Sequence, residues 1–137
     1  MAVQRLGIIM NGVTGRMGLN QHLVRSIVAI RKQGGVSLPN GDRVMPDPIL
    51  VGRNAEKVAA LAREYGIERS TTDLAAALKN PNDTLFFDAA TTQMRAALLS
   101  QAIEAGKHVY CEKPLADTLD KAIAVAKLAK ARKVKNG

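Results

Sequence analysis

The stretch from Leu6 to Gly18, LGIIMNGVTGRMG, constrains this chain more than any other. An apolar run from Leu6 to Met10 breaks into a turn with glycines at Gly12, Gly15 and Gly18, and a helical pattern follows. A strand, a glycine-rich turn and a helix start expose unpaired backbone N–H groups at the positive end of a helix dipole, a setting that suits phosphate. The glycines divide the work. Gly12 lets the chain turn off the strand, Gly15 lets the backbone approach a pyrophosphate, and Gly18 lets the helix pack closely on the strand. The spacing is G-x-x-G-x-x-G, not the commoner G-x-G-x-x-G, so the flanking strand and helix carry the assignment. Thr14, Arg16 and Met17 share the turn and are candidate cofactor contacts with Gly12 and Gly15.

The length of 137 residues is one domain's worth, and 47% hydrophobic residues are enough for a core. Aromatics are only 3% and Trp is absent, so that core must be Ala, Val, Ile and Leu, which favours helix-on-sheet layers. The net charge of +8 suits an anionic partner, either nucleic acid or a phosphate-rich cofactor. A single cysteine, Cys111, excludes an internal disulfide, points to a reducing compartment and reads as a small buried strand residue. The N-terminus lacks an apolar signal core and no apolar stretch approaches a membrane span, so a cytoplasmic protein without a membrane partner is expected.

Along the chain, a first helix is expected from Arg16 to about Gln33, with an apolar stripe of Leu23, Val24, Ile27 and Val28 and a stop at Gly34. His22 on it reads as a surface or boundary residue. Gly34 to Pro48, with three glycines and three prolines, reads as an irregular insertion without named chemistry. Ile49 to Val51 is a short strand. Asn54 caps a helix carrying Val58, Leu61, Ala62 and Tyr65, which Gly66 ends. Ile67 to Ser70 is a third strand, and Thr72 caps a short helix with Leu74, Ala77 and Leu78. Thr84 to Ala89 is a fourth strand, followed by the polar turn Thr91-Thr92-Gln93 and a helix closing at Gly106. His108 to Cys111 is a fifth, ending in Glu112-Lys113-Pro114. A last helix starts near Thr118, and its basic end, Lys127 to Lys135, reads as a solvated helix terminus.

Strands alternating with helices give an α/β fold: a Rossmann-like, doubly wound parallel sheet of about five strands in the order 3-2-1-4-5. Gly12, Gly15, Arg53, Thr91 and Lys113 all follow strand C-termini, and the topology predicts that they converge on one crevice. The second strand ends Val51-Gly52-Arg53-Asn54, without the acid that usually meets the ribose 2′-hydroxyl of NAD. Arg53 can instead pair with a 2′-phosphate and stack on adenine, so NADP is preferred over NAD.

The nine residues Gly106 to Pro114, GKHVYCEKP, resemble the G-K-H-V-x-C-E-K-P signature of the Gfo/Idh/MocA oxidoreductases, enzymes related to glucose–fructose oxidoreductase and inositol dehydrogenase. The resemblance implies that residues 1–137 are that family's N-terminal dinucleotide-binding domain, serving hydride transfer between nicotinamide and a sugar, cyclitol or related polyol. It gives Lys113 the catalytic place at the nicotinamide and the substrate hydroxyl, where an ammonium can orient the oxygen and relay its proton. It places Glu112 beside the nicotinamide ribose and Pro114 after a cis peptide, with Thr91 and Gln93 as further cofactor contacts alongside Asn54. No metal site is implied.

Two departures accompany it. Thr91-Thr92-Gln93-Met94-Arg95-Ala96 lacks the proline, Asn and His of the family's T-P-N-x-x-H, and Gly34 to Pro48 is longer than usual. The family also carries a second α/β domain with further catalytic groups. The expectation is therefore a chain that stops before a sixth strand and that domain, binds cofactor without turning over alone, and has an open sheet edge that could favour a homo-oligomer. Gly12 to Gly18 also resembles the G-x-x-G-R-M-G turn of dihydrodipicolinate reductases, with Arg16 at the cofactor phosphate, although those enzymes lack E-K-P. A non-catalytic NADP-binding module is the other alternative. Dispersed basic residues without interleaved aromatics argue against specific nucleic-acid binding.

Overall fold

The computed structural model describes all residues, 1–137. Strand β1, Val3–Asn11, opens the chain. Helix α1 follows at residues 18–32, where a π-wound segment, Gly18–Val28, runs into an α-helical turn, Ala29–Lys32. The winding changes the expected stripe. Buried positions fall at Gly18, Leu23 and Val28, five apart, as an i→i+5 ladder requires, while Val24 and Ile27 are only partly covered.

The expected irregular insertion is not irregular. It forms β2, Val36–Ser37, and the first half of a nine-residue strand β3, Arg43–Val51. The turn into β2 uses Gly34 and Gly35, and the turn between β2 and β3 uses Gly41, all at positive φ, which glycine adopts at no steric cost. The Arg43 guanidinium donates to the carbonyls of Gln33, Gly34 and Gly35 and so closes the end of α1. Pro46 and Pro48 fit inside β3 because the strand is fully paired on one side only. The Arg43 N–H donates to Ala2 on the β1 side, and by strand alternation the two proline nitrogens face away from β1. On that side β2 pairs only at residues 43–44 and β4, Arg69–Thr71, only from Ile49.

The remaining elements are α2, Ala55–Tyr65, α3, Leu74–Lys79, β5, Asp83–Asp88, α4, Thr92–Glu104, β6, His108–Cys111, and α5, Leu119–Arg132. Asn54 caps α2 through the Lys57 N–H, as expected, and α5 starts at the expected place with Thr118 as its cap through the Lys121 N–H. The cap of α3 is Asp73 instead of Thr72: its carboxylate accepts from the Ala76 N–H at 2.9 Å, and only one residue can occupy that position.

The sheet runs β2-β3-β1-β5-β6 with β4 also beside β3, so the expected order holds and the short antiparallel β2 is an addition. Alternation along β1 shows the double winding. Ile9 joins Phe86, Leu99, Ile103 and Val125 on the α4–α5 face, while Ile8 and Met10 join Leu23, Leu50, Val58 and Phe87 on the α1–α2 face. Residues 135–137 run parallel along the outer edge of β6, where the Val109 N–H donates to Lys135 and the Cys111 N–H to Gly137. The expected unpaired edge at β6 is therefore already covered. No helix is long and apolar enough to cross a membrane.

Candidate functional site

The carboxyl ends of β1, β3 and β5 open onto a crevice of about 420 Å³. Its floor is the glycine turn. Gly12 has φ +83°, and a Cβ there would lie 2.3 Å from the Ala90 nitrogen in the turn after β5. A Cβ on Gly18 would meet the Gly12 carbonyl oxygen at 2.3 Å, so the start of α1 needs glycine to sit this close to the turn. Gly15 differs. It is exposed, and the nearest atom to an added Cβ is 3.5 Å away. The protein's own packing does not require a glycine there, so the position stays open toward the crevice.

Thr14, Arg16 and Met17 line the same crevice, with Gly52 and Arg53 from the end of β3 and Thr91 from the end of β5. Arg16 and Arg53 are exposed and neither forms an ion pair, and no carboxylate lines the crevice. Two free guanidiniums beside a helix start make a field for anionic groups. Five expected contacts fall outside the lining: Asn54 and Gln93, and the Glu112-Lys113-Pro114 turn. Asn54 is engaged as the α2 cap, and Gln93 is replaced at the wall by Met94, one position on. Asn11, Ala89 and Ala90 also line the crevice. Asn11 had a readable signal, a polar residue ending an apolar strand, whereas Ala89, Ala90 and Met94 had none.

Glu112 and Lys113 stand apart from this lining. They edge a neighbouring, largely apolar cavity of about 300 Å³ with Leu99, Cys111, Leu115 and Val125. The structure therefore brings Gly12, Gly15, Arg53 and Thr91 together, and Lys113 sits at the next turn along the sheet. The Lys113–Pro114 peptide is cis, as the resemblance implied. Glu112 bonds to His22 of α1 at 2.5 Å, and His22 packs on the Phe87 ring with centroids 4.6 Å apart. That bond from His22, helped by the Lys113 N–H, holds the Glu112 carboxyl below the usual range. His22 is thus a boundary residue with a defined partner.

The residue that sequence reasoning missed is Arg95. Its side chain is 3% exposed and pairs with fully buried Asp88. The lysine of the G-K-H-V stretch, Lys107, has a structural job: its ammonium donates to the Asn80 carbonyl at 2.7 Å, and burial pushes its pKa down. Burial likewise pushes the half-buried Cys111 thiol up, away from nucleophilic character.

A doubly wound parallel sheet with a glycine turn and an open cationic crevice at its switch point defines a dinucleotide-binding α/β domain. The chain belongs to the Gfo/Idh/MocA family: the family model described as an oxidoreductase family with an NAD-binding Rossmann fold matches residues 48–136. It is 47% identical over 123 residues to a D-xylose dehydrogenase of Paenarthrobacter nicotinovorans, covering 90% of this chain and 32% of that protein. It is 37% identical over 70 residues to a levoglucosan dehydrogenase of Pseudarthrobacter phenanthrenivorans, covering 51% of this chain and 18% of that one. Among solved structures, a levoglucosan dehydrogenase in complex with NADH and levoglucosan superposes with a TM-score of 0.79 at 28% identity, covering 97% of this chain and 35% of the other. An oxidoreductase domain protein from Kribbella flavida gives 0.81 at 31% identity, covering 97% and 34%. The chain thus spans about a third of the length of that D-xylose dehydrogenase.

Proposed function

We propose that this chain is the dinucleotide-binding domain of an NAD(P)-dependent dehydrogenase acting on a sugar or related polyol, with NADP preferred. The observation that carries the reading is the crevice at the glycine turn, with Arg16 and Arg53 free of carboxylates. Gly12, Thr14, Gly15, Arg16 and Met17 hold the pyrophosphate end, and the small exposed Gly15 admits it. Arg53 meets the 2′-phosphate, with Thr91 and Met94 on the opposite wall. The relatives named as sugar dehydrogenases support the substrate class, and the neighbour that holds NADH supports a dinucleotide of this kind.

The bound dinucleotide supplies the hydride acceptor. What this chain adds is placement and a proton path. Lys113, in the exposed turn after β6, holds the substrate hydroxyl through its ammonium and takes part in relaying the hydroxyl proton as the carbon is oxidised to a carbonyl. Glu112, kept ionised by His22, is an acceptor for ribose hydroxyls beside it.

A calorimetric titration with NADPH and then NADH tests the cofactor reading. NADPH is expected to bind about tenfold more tightly, the scale of one charge-assisted contact to phosphate, and Arg53→Ala is expected to erase the difference. Equal affinities in the unmodified chain would remove the NADP preference. No binding of either, with the fold intact, would remove the crevice assignment.

A further inference from the structure

We propose that Arg95 is a positioning residue, whose buried guanidinium fixes the Lys113 turn relative to the crevice wall. The geometry is a three-way fork. Arg95 Nε donates to Asp88 Oδ2 at 3.0 Å, Nη2 to the Ala90 carbonyl at 2.6 Å, and Nη1 to the Pro114 carbonyl at 2.6 Å. Asp88 extends the connection, since its Oδ1 accepts from Asn11 Nδ2 at 2.8 Å and from the Ala90 N–H at 3.4 Å. Its backbone carbonyl accepts from the Glu112 N–H at 2.9 Å. One ion pair thus joins the end of β1, the turn after β5 and the turn after β6. Asn11 and Ala90 line the crevice, and Pro114 directly follows Lys113.

The chemistry explains why arginine stands here. A buried ion pair is a poor device for stability alone, because apolar residues of similar volume often do as well. A guanidinium offers donors in fixed planar directions, so three acceptors on two turns set the distance and angle between those turns. A lysine ammonium is a point charge that can keep Asp88 company without spanning both carbonyls. Arg95 is too deeply buried to reach a ligand, so it acts through the Pro114 carbonyl on the Lys113 turn.

This inference rests on the reading that Lys113 lies at the nicotinamide, and the test separates the two. The probes are NADPH and 2′,5′-ADP, with NADH and ADP in parallel. The full dinucleotide reaches both turns, and the adenine-end fragment reaches only the glycine turn and Arg53. Lys113→Ala is expected to weaken NADPH several-fold and leave 2′,5′-ADP unchanged. Arg95→Lys is expected to do the same, by about tenfold, with 2′,5′-ADP within twofold of the unmodified chain. A purely structural Arg95 would weaken both probes together or neither, and either result overturns the proposal. An unchanged NADPH affinity in Lys113→Ala overturns the underlying reading instead. Should Arg95→Lys fail to fold by circular dichroism, Arg95→Met combined with Asp88→Asn removes both buried charges, keeps an acceptor for Asn11, and makes the same comparison.

Discussion

The two ends of the sheet use arginine in opposite ways. At the amino ends Arg5, Arg31 and Arg69 each have a carboxylate, and Arg43 is taken up by the carbonyls that close α1. Arg69 donates to both oxygens of Asp83 at 2.8 and 2.9 Å and also reaches Asp47, Arg5 pairs with Asp47, and Arg31 meets Glu68. At the carboxyl ends Arg16 and Arg53 have none, and Arg95 spends two of its three bonds on turn carbonyls. The parallel topology explains the contrast. It gathers strand C-termini and helix N-termini at one end, where cations left free of acids add to the field of the unpaired N–H groups. At the other end the same side chains have only the job of joining strands. The unengaged guanidiniums of Arg16 and Arg53 thus stand at the crevice, whereas those of Arg5, Arg31, Arg43 and Arg69 are engaged in joining elements of the scaffold.

That contrast makes its largest prediction at the scaffold end. Asp83 is 1% exposed, and its removal leaves Arg69, 23% exposed, without its principal partner. Asp83→Ala is expected to cost about 3 kcal/mol in urea unfolding, the low end for breaking a buried pair because Arg69 keeps some contact with water. The NADPH affinity of the folded fraction should stay unchanged. A loss of affinity without a loss of stability would reverse the roles assigned to the two ends.

The next effect belongs to the crevice and is one of binding. Gly15→Ala places its Cβ 3.5 Å from the Gly12 oxygen, an ordinary contact, so stability should move by less than about 1 kcal/mol. Dinucleotide affinity should fall at least about tenfold, because the methyl group occupies the approach to the pyrophosphate. Gly18→Ala should do the reverse, destabilising through its 2.3 Å clash with the Gly12 carbonyl. Calorimetry together with thermal unfolding on both variants reads the two axes separately. If Gly15→Ala binds normally, the glycine turn is a packing device only.

Local signals made much of this legible. The cap at Asn54, the helix start near Thr118, the strand at His108–Cys111 and the apolar run before Gly12 are properties of a few neighbouring residues, and they reappear where the sequence places them. What stayed hidden depends on partners far along the chain. Pro46 and Pro48 read as breakers because a local rule cannot know that one side of β3 lacks a neighbour. Asp88 and Arg95 are seven residues apart and look like a strand end and a helix surface. Only the Pro114 carbonyl, nineteen residues beyond Arg95, reveals them as a junction. The five-residue spacing of Gly18, Leu23 and Val28 was present in the sequence, but a 3.6-residue period picked out a different stripe. Asn54 shows the converse, since its cap was readable from its neighbours alone.

The smallest predicted effect sharpens the comparison at the Lys113 turn, where Glu112 is ionised through its bond to His22 and both side chains are 21% exposed. A carboxyl held below its usual range adds stability above that range, and the contribution disappears as pH falls through the lowered value. His22→Gln removes the largest cause of that lowering. The variant should be about 0.5–1 kcal/mol less stable than the unmodified chain at about pH 5, the scale of one partly exposed hydrogen bond to a charged group. The difference should close as pH falls through that lowered value and Glu112 protonates in both proteins. Urea midpoints across that window measure it. Asp42 and Asp117, whose carboxyls are also lowered, by the Ala2 N–H and by Lys121, titrate alike in both proteins and cancel in the comparison. A gap that persists unchanged into acid would mean that His22 supports the turn through its packing on Phe87, with no part in keeping Glu112 charged.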